Sequence, residues 1–378
     1  MSAPARTQEL RGVRVARHFG DPAAEYEAAR EGAGIVDRSH RRRWKVRGRA
    51  PGRMLDGILT CAIPEGLGSD GSGTLRGAGA YGAVLTPKGK MVTDLRILPW
   101  SPEADEQVFL LDVPAVGAPG LDGHFGKYLP PRFAAVEDVS EETGMMTVVG
   151  PGAASLVSRE ALGLQVEIPV LEGMNEASLV VLGGSPGEGV AAIRCGDVDA
   201  PAYDLVADRD TLGALVERLE ECGDARRVGH AAWETLRVEA GRPAFGDDMD
   251  EDTIPVEAGI HRRAIDYAKG CYTGQEVIVR IRDRGRVNWH LRGLLMGDVP
   301  TPSQGTELYE AGGENAVGRV TSSIQSPRFD GAAGLGYVRR EVEPPAEIRL
   351  GGPGGSPVGV RALDDGGWVL VEGDPGGR

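Results

Sequence analysis

After Trp289 the pattern of the chain changes, and this change limits the fold more than any other feature. From His290 onward short strand-like runs recur: Leu291 to Met296, Gly318 to Thr321, Ala333 to Val338, Ile348 to Leu350, Val358 to Ala362 and Val369 to Val371. Glycines and prolines separate them, as in a small all-β barrel. Before Arg286, helices and strands mix without a regular βαβ beat, which reads as α+β. The expected division is residues 1–286 and 287–378.

Within the first part, Asp21 caps a helix with Pro22 at its first position. Trp44 to Arg47 alternates like a strand, and Ala50 to Leu59 reads as a helix. The Gly/Ser-rich stretch from 66 to 79 reads as a flexible loop. Tyr81 to Leu85 and Met91 to Pro99 form a hairpin around Pro87-Lys-Gly-Lys90, followed by a strand at Val108 to Asp112. A helix is expected near Leu121 to Leu129, a strand at Met145 to Val149 and a helix from Pro151 to Leu162. Ser178 to Leu182 and Val190 to Cys195 read as strands joined by the glycine-rich segment 183–187, with another at Tyr203 to Val206. Asp210 is placed as the cap of a helix from Leu212 to Cys222, and Ala231 to Ala240 is a helix ended by Gly241.

The chain carries 42 Lys and Arg against 56 Asp and Glu, a net charge of -14. A field of that sign repels bulk nucleic acid and anionic membrane, so an anionic ligand needs a local cationic pocket. No apolar run approaches the roughly 20 residues of a membrane span. Met1 to Phe19 carries four arginines and no apolar core, unlike a signal peptide. A cytoplasmic monomer that binds neither membrane nor nucleic acid directly is expected. The four cysteines, Cys61, Cys195, Cys222 and Cys271, have no CxxC spacing, and no metal site is expected.

Chemistry is concentrated in Lys269-Gly-Cys-Tyr-Thr-Gly-Gln-Glu276. Thr273 and Glu276 fit a capping box, with Val277 to Ile281 opening a helix, although their β-branching also suits a strand. On the helical reading Cys271 lies just before a positive helix end and two residues from Lys269, and both favour thiolate. Gly270 and Gly274 let a ligand approach the backbone. Read alone, Cys271 is equally a small apolar residue in a turn. In Thr235-Leu-Arg-Val-Glu-Ala-Gly241 with Phe245-Gly-Asp247, Arg237 is placed to grip a carboxylate, or the segment is a solvated helix end. Tyr81 and Asp94 span the hairpin, where an acid near an aromatic could orient a polar heterocycle. The arginines at 41–43 and at 280, 282, 284 and 286 lack interleaved aromatics, so solvated faces or contacts to an acidic ligand tail are the simpler reading.

These segments, in this order, resemble the glycine cleavage T-protein (aminomethyltransferase) superfamily over nearly the whole chain, and within it the folate-binding YgfZ family. Ala24 to His40 is similar to the superfamily's opening, Leu85 to Leu95 to its hairpin, and Leu236 to Gly241 with Phe245 to Asp247 to its helix and turn. Gly318 to Ser323, Ser326-Pro327 and Leu335 to Val338 are similar to its C-terminal barrel. The octapeptide from Lys269 matches the YgfZ signature.

The resemblance implies a three-lobed cloverleaf around a central tetrahydrofolate channel, with two α+β lobes in residues 1–286. It implies binding of tetrahydrofolate or a one-carbon-substituted folate, and support of the assembly or repair of iron–sulfur client enzymes, including tRNA-modifying ones, through Cys271. The alternative is aminomethyl transfer from a lipoyl carrier to tetrahydrofolate; a tRNA-binding accessory protein is a third reading. By resemblance the catalytic residues are Cys271, Asp94 and Lys269, and the folate-binding ones Tyr81, Asp94, Asp204, Arg237, Phe245, Gly270, Tyr272 and Gln275. Phe245 and Asp197 stand where T-proteins carry tyrosines, and Thr93 precedes Asp94 where they tend to carry a second acid.

Overall fold

The computed structural model describes residues 6–69, 71, 73–102, 106–183 and 189–376. Three larger sheets organise the chain. The first is antiparallel, in the order Ala135–Asp138, Arg42–Arg47, Val108–Val113, Met91–Pro99, Ala80–Leu85. The second runs Arg226–Arg227, Gly34–Asp37, Thr143–Val149, Ala202–Asp208, Val190–Arg194, Ser178–Leu182, Thr74–Ala78, Gly68–Ser69. The third holds only strands from Trp289 onward, and its first strand, Trp289–Gly297, also pairs with Pro357–Asp364.

Burial explains the strand choices. All nine residues of Met91–Pro99 are buried, including Asp94 and Arg96. A charged pair in so apolar a strand has to be satisfied inside the protein. The helix His230–Glu239 buries Trp233, Leu236 and Val238. Its apolar face packs with Tyr26 and Val36 of the N-terminal part, and Val238 also reaches Leu291, Leu335 and Tyr337 of the third sheet.

Several elements are as the sequence predicts. The helix Pro22–Glu31 starts at Asp21, whose carboxylate accepts from Ala23 N and Ala24 N. The hairpin around residues 86–90 forms as expected. Others differ. The expected loop at 66–79 contains the strand Thr74–Ala78, paired with Ser178–Leu182. The expected helix at 50–59 shortens to Pro51–Asp56. The expected helix from Pro151 is one α-turn, Ala153–Leu156, followed by a π-turn at Val157–Ala161. Asp208, not Asp210, caps the helix Arg209–Glu221 by accepting from Asp210 N and Thr211 N. The final strand is Gly367–Val369, slightly ahead of its expected place. The segment expected to join Ser178–Leu182 to the next strand lies largely outside the described residues, at 184–188.

An unexpected hairpin opens the chain. Arg6–Leu10 pairs with Val13–His18 across Arg11 and Gly12, both at positive φ (50° and 78°). That is the turn geometry that matches the twist of a two-residue hairpin. It places the Arg11 side chain against the helix His230–Glu239.

Candidate functional site

Strand alternation puts Asp94 and Arg96 on the same side of Met91–Pro99. Arg96 donates to Asp112 Oδ2 from Nε and a terminal nitrogen, at 2.8 and 2.6 Å. It also lies 2.6 Å from Asp204 Oδ2 on the second sheet. Arg41 Nε donates to Asp112 Oδ1 at 2.6 Å. Thr147 Oγ1 donates to Asp204 Oδ1. Burial alone would raise the Asp112 carboxyl, but Arg41 and Arg96 outweigh it and hold it far below the carboxylate range.

Asp94 is held differently. Tyr81 OH donates to its Oδ2 at 2.9 Å. Its Oδ1 is buried without a hydrogen-bond partner. Burial is the main cause that pushes the Asp94 carboxyl up, only partly opposed by Arg41 and the Tyr81 bond. Arg263 stacks over the Tyr81 ring at 4.7 Å and pairs with Glu176, at 3.0 Å from Nε.

Asp94 lines a narrow cavity of about 50 Å³ together with Arg38, Arg41, Asp197, Arg237 and Phe245. Arg38 donates to Asp197 at 2.7 Å and stacks on Trp233 at 4.6 Å. Arg237 is nearly enclosed. It donates to Glu234 Oε2 from two nitrogens (2.9 and 2.7 Å), to Asp248 Oδ2 (2.7 Å), to the Arg242 carbonyl (2.7 Å) and to Ser322 Oγ (3.0 Å). Arg11 joins this cluster through Glu234 and Asp247. The cleft is thus walled by ion pairs drawn from the N-terminal hairpin, both large N-terminal sheets and the helix His230–Glu239.

The loop before the last helix is built separately. Lys269 Nζ donates to the carbonyls of Leu59 and Cys61, each at 2.8 Å, and lies 3.0 Å from Asp56 Oδ1. Its ammonium is committed to anchoring the loop. The helix Gln275–Arg284 is real, but its cap is Gly274 at φ 85°, not Thr273. No capping box forms; Thr273 N instead donates to the Gly57 carbonyl at 3.1 Å. A Cβ on Gly274 would meet Thr86 O at 2.6 Å, so a close approach to the hairpin turn, not to a ligand, explains this glycine. Gln275 Nε2 donates to the Gly270 carbonyl at 3.3 Å. Tyr272 is buried in an apolar cluster with Phe245, Leu85 and Met91. Cys271 is exposed, whereas Cys61 and Cys195 are buried and Cys222 is half-buried.

Asp94, Arg237 and Phe245 therefore converge on one cavity, with Tyr81 behind Asp94. Asp204 does not reach it: it is fully buried and held by Arg96 and Thr147. Lys269, Gly270, Tyr272 and Gln275 belong to the separate loop. Sequence reasoning missed Arg11, Arg38, Arg41, Arg96, Asp112 and Glu234. The available signal was Asp94 and Arg96 two apart within an otherwise apolar strand. Among the described residues there is no group of three or more metal-ligating side chains, and no helix long and apolar enough to cross a membrane.

The model of the GCVT N-terminal domain matches residues 2–269. The chain belongs to that family. Among curated relatives, an aminomethyltransferase of Rubrobacter xylanophilus is 29% identical over 352 residues, covering 92% of this chain and 87% of the relative. One from Bacillus subtilis is 25% identical, covering 89% and 88%. The crystal structure of the glycine cleavage system aminomethyltransferase T from Bartonella henselae superposes with a TM-score of 0.81 at 21% identity, over 97% of this chain and 96% of that one. This GCVT-family chain therefore has the mixed α+β fold of a T-protein. The family match ends at Lys269, just before Cys271.

Proposed function

We propose that the protein binds a reduced folate with its pterin at the Asp94 cleft and transfers a one-carbon unit there. The observation that carries this reading is Asp94 Oδ1, a buried carboxylate oxygen that lines the cavity and has no partner. A buried unpaired acceptor is costly unless a ligand donor satisfies it. A bound tetrahydrofolate would supply the nitrogen that takes up or gives away the one-carbon unit. Asp94, raised by burial, accepts a hydrogen bond from an N–H and is poised to take or return a proton. Tyr81 fixes its rotamer. The relatives' name, aminomethyltransferase, supports a transfer of this kind.

The cavity is smaller than a pterin, so the ring enters by displacing side chains at its mouth. Asp197, with its side chain 38% exposed, forms that mouth with Arg38. Asp204 is committed to Arg96 and takes no part in pterin binding on this reading.

Asp94→Asn tests the proposal. It keeps the side chain's size and removes a desolvated charge, so the variant should unfold at a higher temperature than wild type while binding tetrahydrofolate at least tenfold more weakly by titration calorimetry. Stability gained while affinity is lost is the mark of a residue kept for function. Tetrahydrofolate affinity that is absent in wild type, or unchanged in the variant, overturns the reading.

A second reading rests on Cys271. Its thiol is exposed on a loop pinned at both ends, by Lys269 and by the close seat of Gly274. This supports a folate-dependent role in upkeep of iron–sulfur enzymes, with Cys271 as the reacting group. Under native conditions iodoacetamide should label Cys271 first, whereas burial lifts the Cys61 thiol to about 12 and also raises Cys195. Cys271→Ala should keep tetrahydrofolate affinity and fail to restore iron–sulfur enzyme activity in cells lacking the protein. Full rescue by that variant removes the thiol from the mechanism. Ammonia release from an aminomethylated lipoyl carrier, by contrast, favours aminomethyl transfer.

A further inference from the structure

A cavity of about 350 Å³ lies on the other side of Arg242 and Pro243 from Asp94, between the short helix His261–Ala264 and the strand Trp289–Gly297. Its walls carry His261, Arg262, His290 and Arg292. Among the described residues, neither Arg262 nor Arg292 has a hydrogen-bonded or ion-paired acid. Arg292 Nε and His261 Nδ1 are each buried without a partner. A second cavity, lined by Arg286 and Arg340, adjoins it and shares His261 and His290 as a common wall.

Three acids, Glu257, Asp364 and Asp365, also line the cavity, but none is hydrogen-bonded or ion-paired to Arg262 or Arg292 among the described residues. After burial, Arg292 and His261 are what lower His290, and Arg262 is what lowers His261. Asp365 opposes this only in part for His261. Glu257, on the same wall, is instead influenced by Lys90 and Arg319. Arg262 is exposed, so the groups left unsatisfied inside the cavity wall are Arg292 Nε and His261 Nδ1. Rules of charge pairing are broken mostly at functional sites.

We propose that this cavity is a second binding site, for a small molecule carrying two or more acid groups, gripped by Arg262 and Arg292 with His261 and His290 as supporting donors. Arginine's planar fork suits both carboxylate and phosphate. An anion between the four groups would satisfy the buried Nε and Nδ1 and relieve the mutual repulsion. The site shares only Arg242 and Pro243 with the lining of the Asp94 cleft, and none of the four proposed anion-binding groups belongs to that cleft.

The test uses the full chain carrying Asp94→Asn, so that a failure of the folate reading does not enter. Pyrophosphate and citrate are titrated by calorimetry, and the ring protons of His261 and His290 are followed by NMR against pH. At least one probe should bind, with the two imidazoles titrating at higher pH in its presence. Arg292→Gln and, independently, the exposed Arg262→Gln should each weaken that affinity at least tenfold. Pyrophosphate alone binding identifies a phosphate site, and citrate alone a carboxylate site. Absence of binding by both, or affinity unchanged in the folded Arg262→Gln protein, overturns the proposal.

Discussion

Glu234 shows how one residue's surroundings set its charge. Burial would raise its carboxyl, but Arg237 and Arg11 outweigh that and bring it down to about 2 from 4.5. A folded value below the unfolded one contributes stability that is present above pH 4.5 and lost as pH falls through about 2. The size of the shift corresponds to about 3 kcal/mol at neutral pH. Glu234→Gln should lose about that much at pH 7 by urea unfolding, and its stability should depend less on pH between 4.5 and 2 than that of wild type. Equal slopes for the two proteins would show that Arg237 does not hold Glu234 as described. Asp94 works in the opposite sense. Its raised carboxyl disfavours the folded state as pH climbs past the ordinary carboxylate value, because the desolvated charge must then form.

At the level of elements, local signals were legible where one physical cause dominated. Asp21-Pro22 marked a helix start because a cap and a fixed φ act together there. Glycine was ambiguous because it serves more than one purpose. The strand Thr74–Ala78 was hidden by its glycine-rich setting. Gly77 is present because a Cβ would fall 2.7 Å from Leu67 and 2.9 Å from Pro99, not because the chain turns. Thr273 had the right spacing for a cap, yet Gly274 takes the left-handed position and leaves Thr273 to the Gly57 carbonyl. Of the candidate site, Asp94, Arg237 and Phe245 were named from resemblance and do meet at one cavity. Their arginine and acid partners come from segments far apart in sequence, so spacing could not show them. The Lys269 loop gives a prediction at this scale. Lys269→Met leaves the Leu59 and Cys61 carbonyls without their donor and should cost about 2–4 kcal/mol. Amide exchange should rise in residues 57–61 and 269–274 while the Asp94 cleft remains protected. Exchange confined to 269–274 would mean that the two loops are not coupled through this amine.

The three sheets are joined by polar contacts as much as by apolar ones, and Asp248 is where this matters most. It is buried beside the helix His230–Glu239 and accepts from Arg237 at 2.7 Å and from Ala244 N at 3.1 Å. On the other side it accepts from Thr321 at 2.5 Å and Ser322 at 2.7 Å, both in the third sheet. Tyr337 OH of that sheet donates to the Asp248 carbonyl at 2.9 Å. One carboxylate therefore bridges the helix that walls the Asp94 cleft and the C-terminal strands. Removing it leaves Arg237 with a buried charge that only Glu234 and the more distant Asp247, at 3.8 Å, balance, together with two hydroxyls that lose their acceptor. Asp248→Ala should cost about 3–5 kcal/mol. The loss should fall on the joint between sheets, because the apolar core of the third sheet does not include Asp248. Calorimetry should then show the C-terminal strands melting apart from the rest as a second transition. Asp248→Asn, which can still accept from Thr321 or Ser322, should lie between wild type and alanine. A single cooperative transition in Asp248→Ala, shifted but undivided, would place the coupling instead in the apolar contact of Val238 with Leu291, Leu335 and Tyr337.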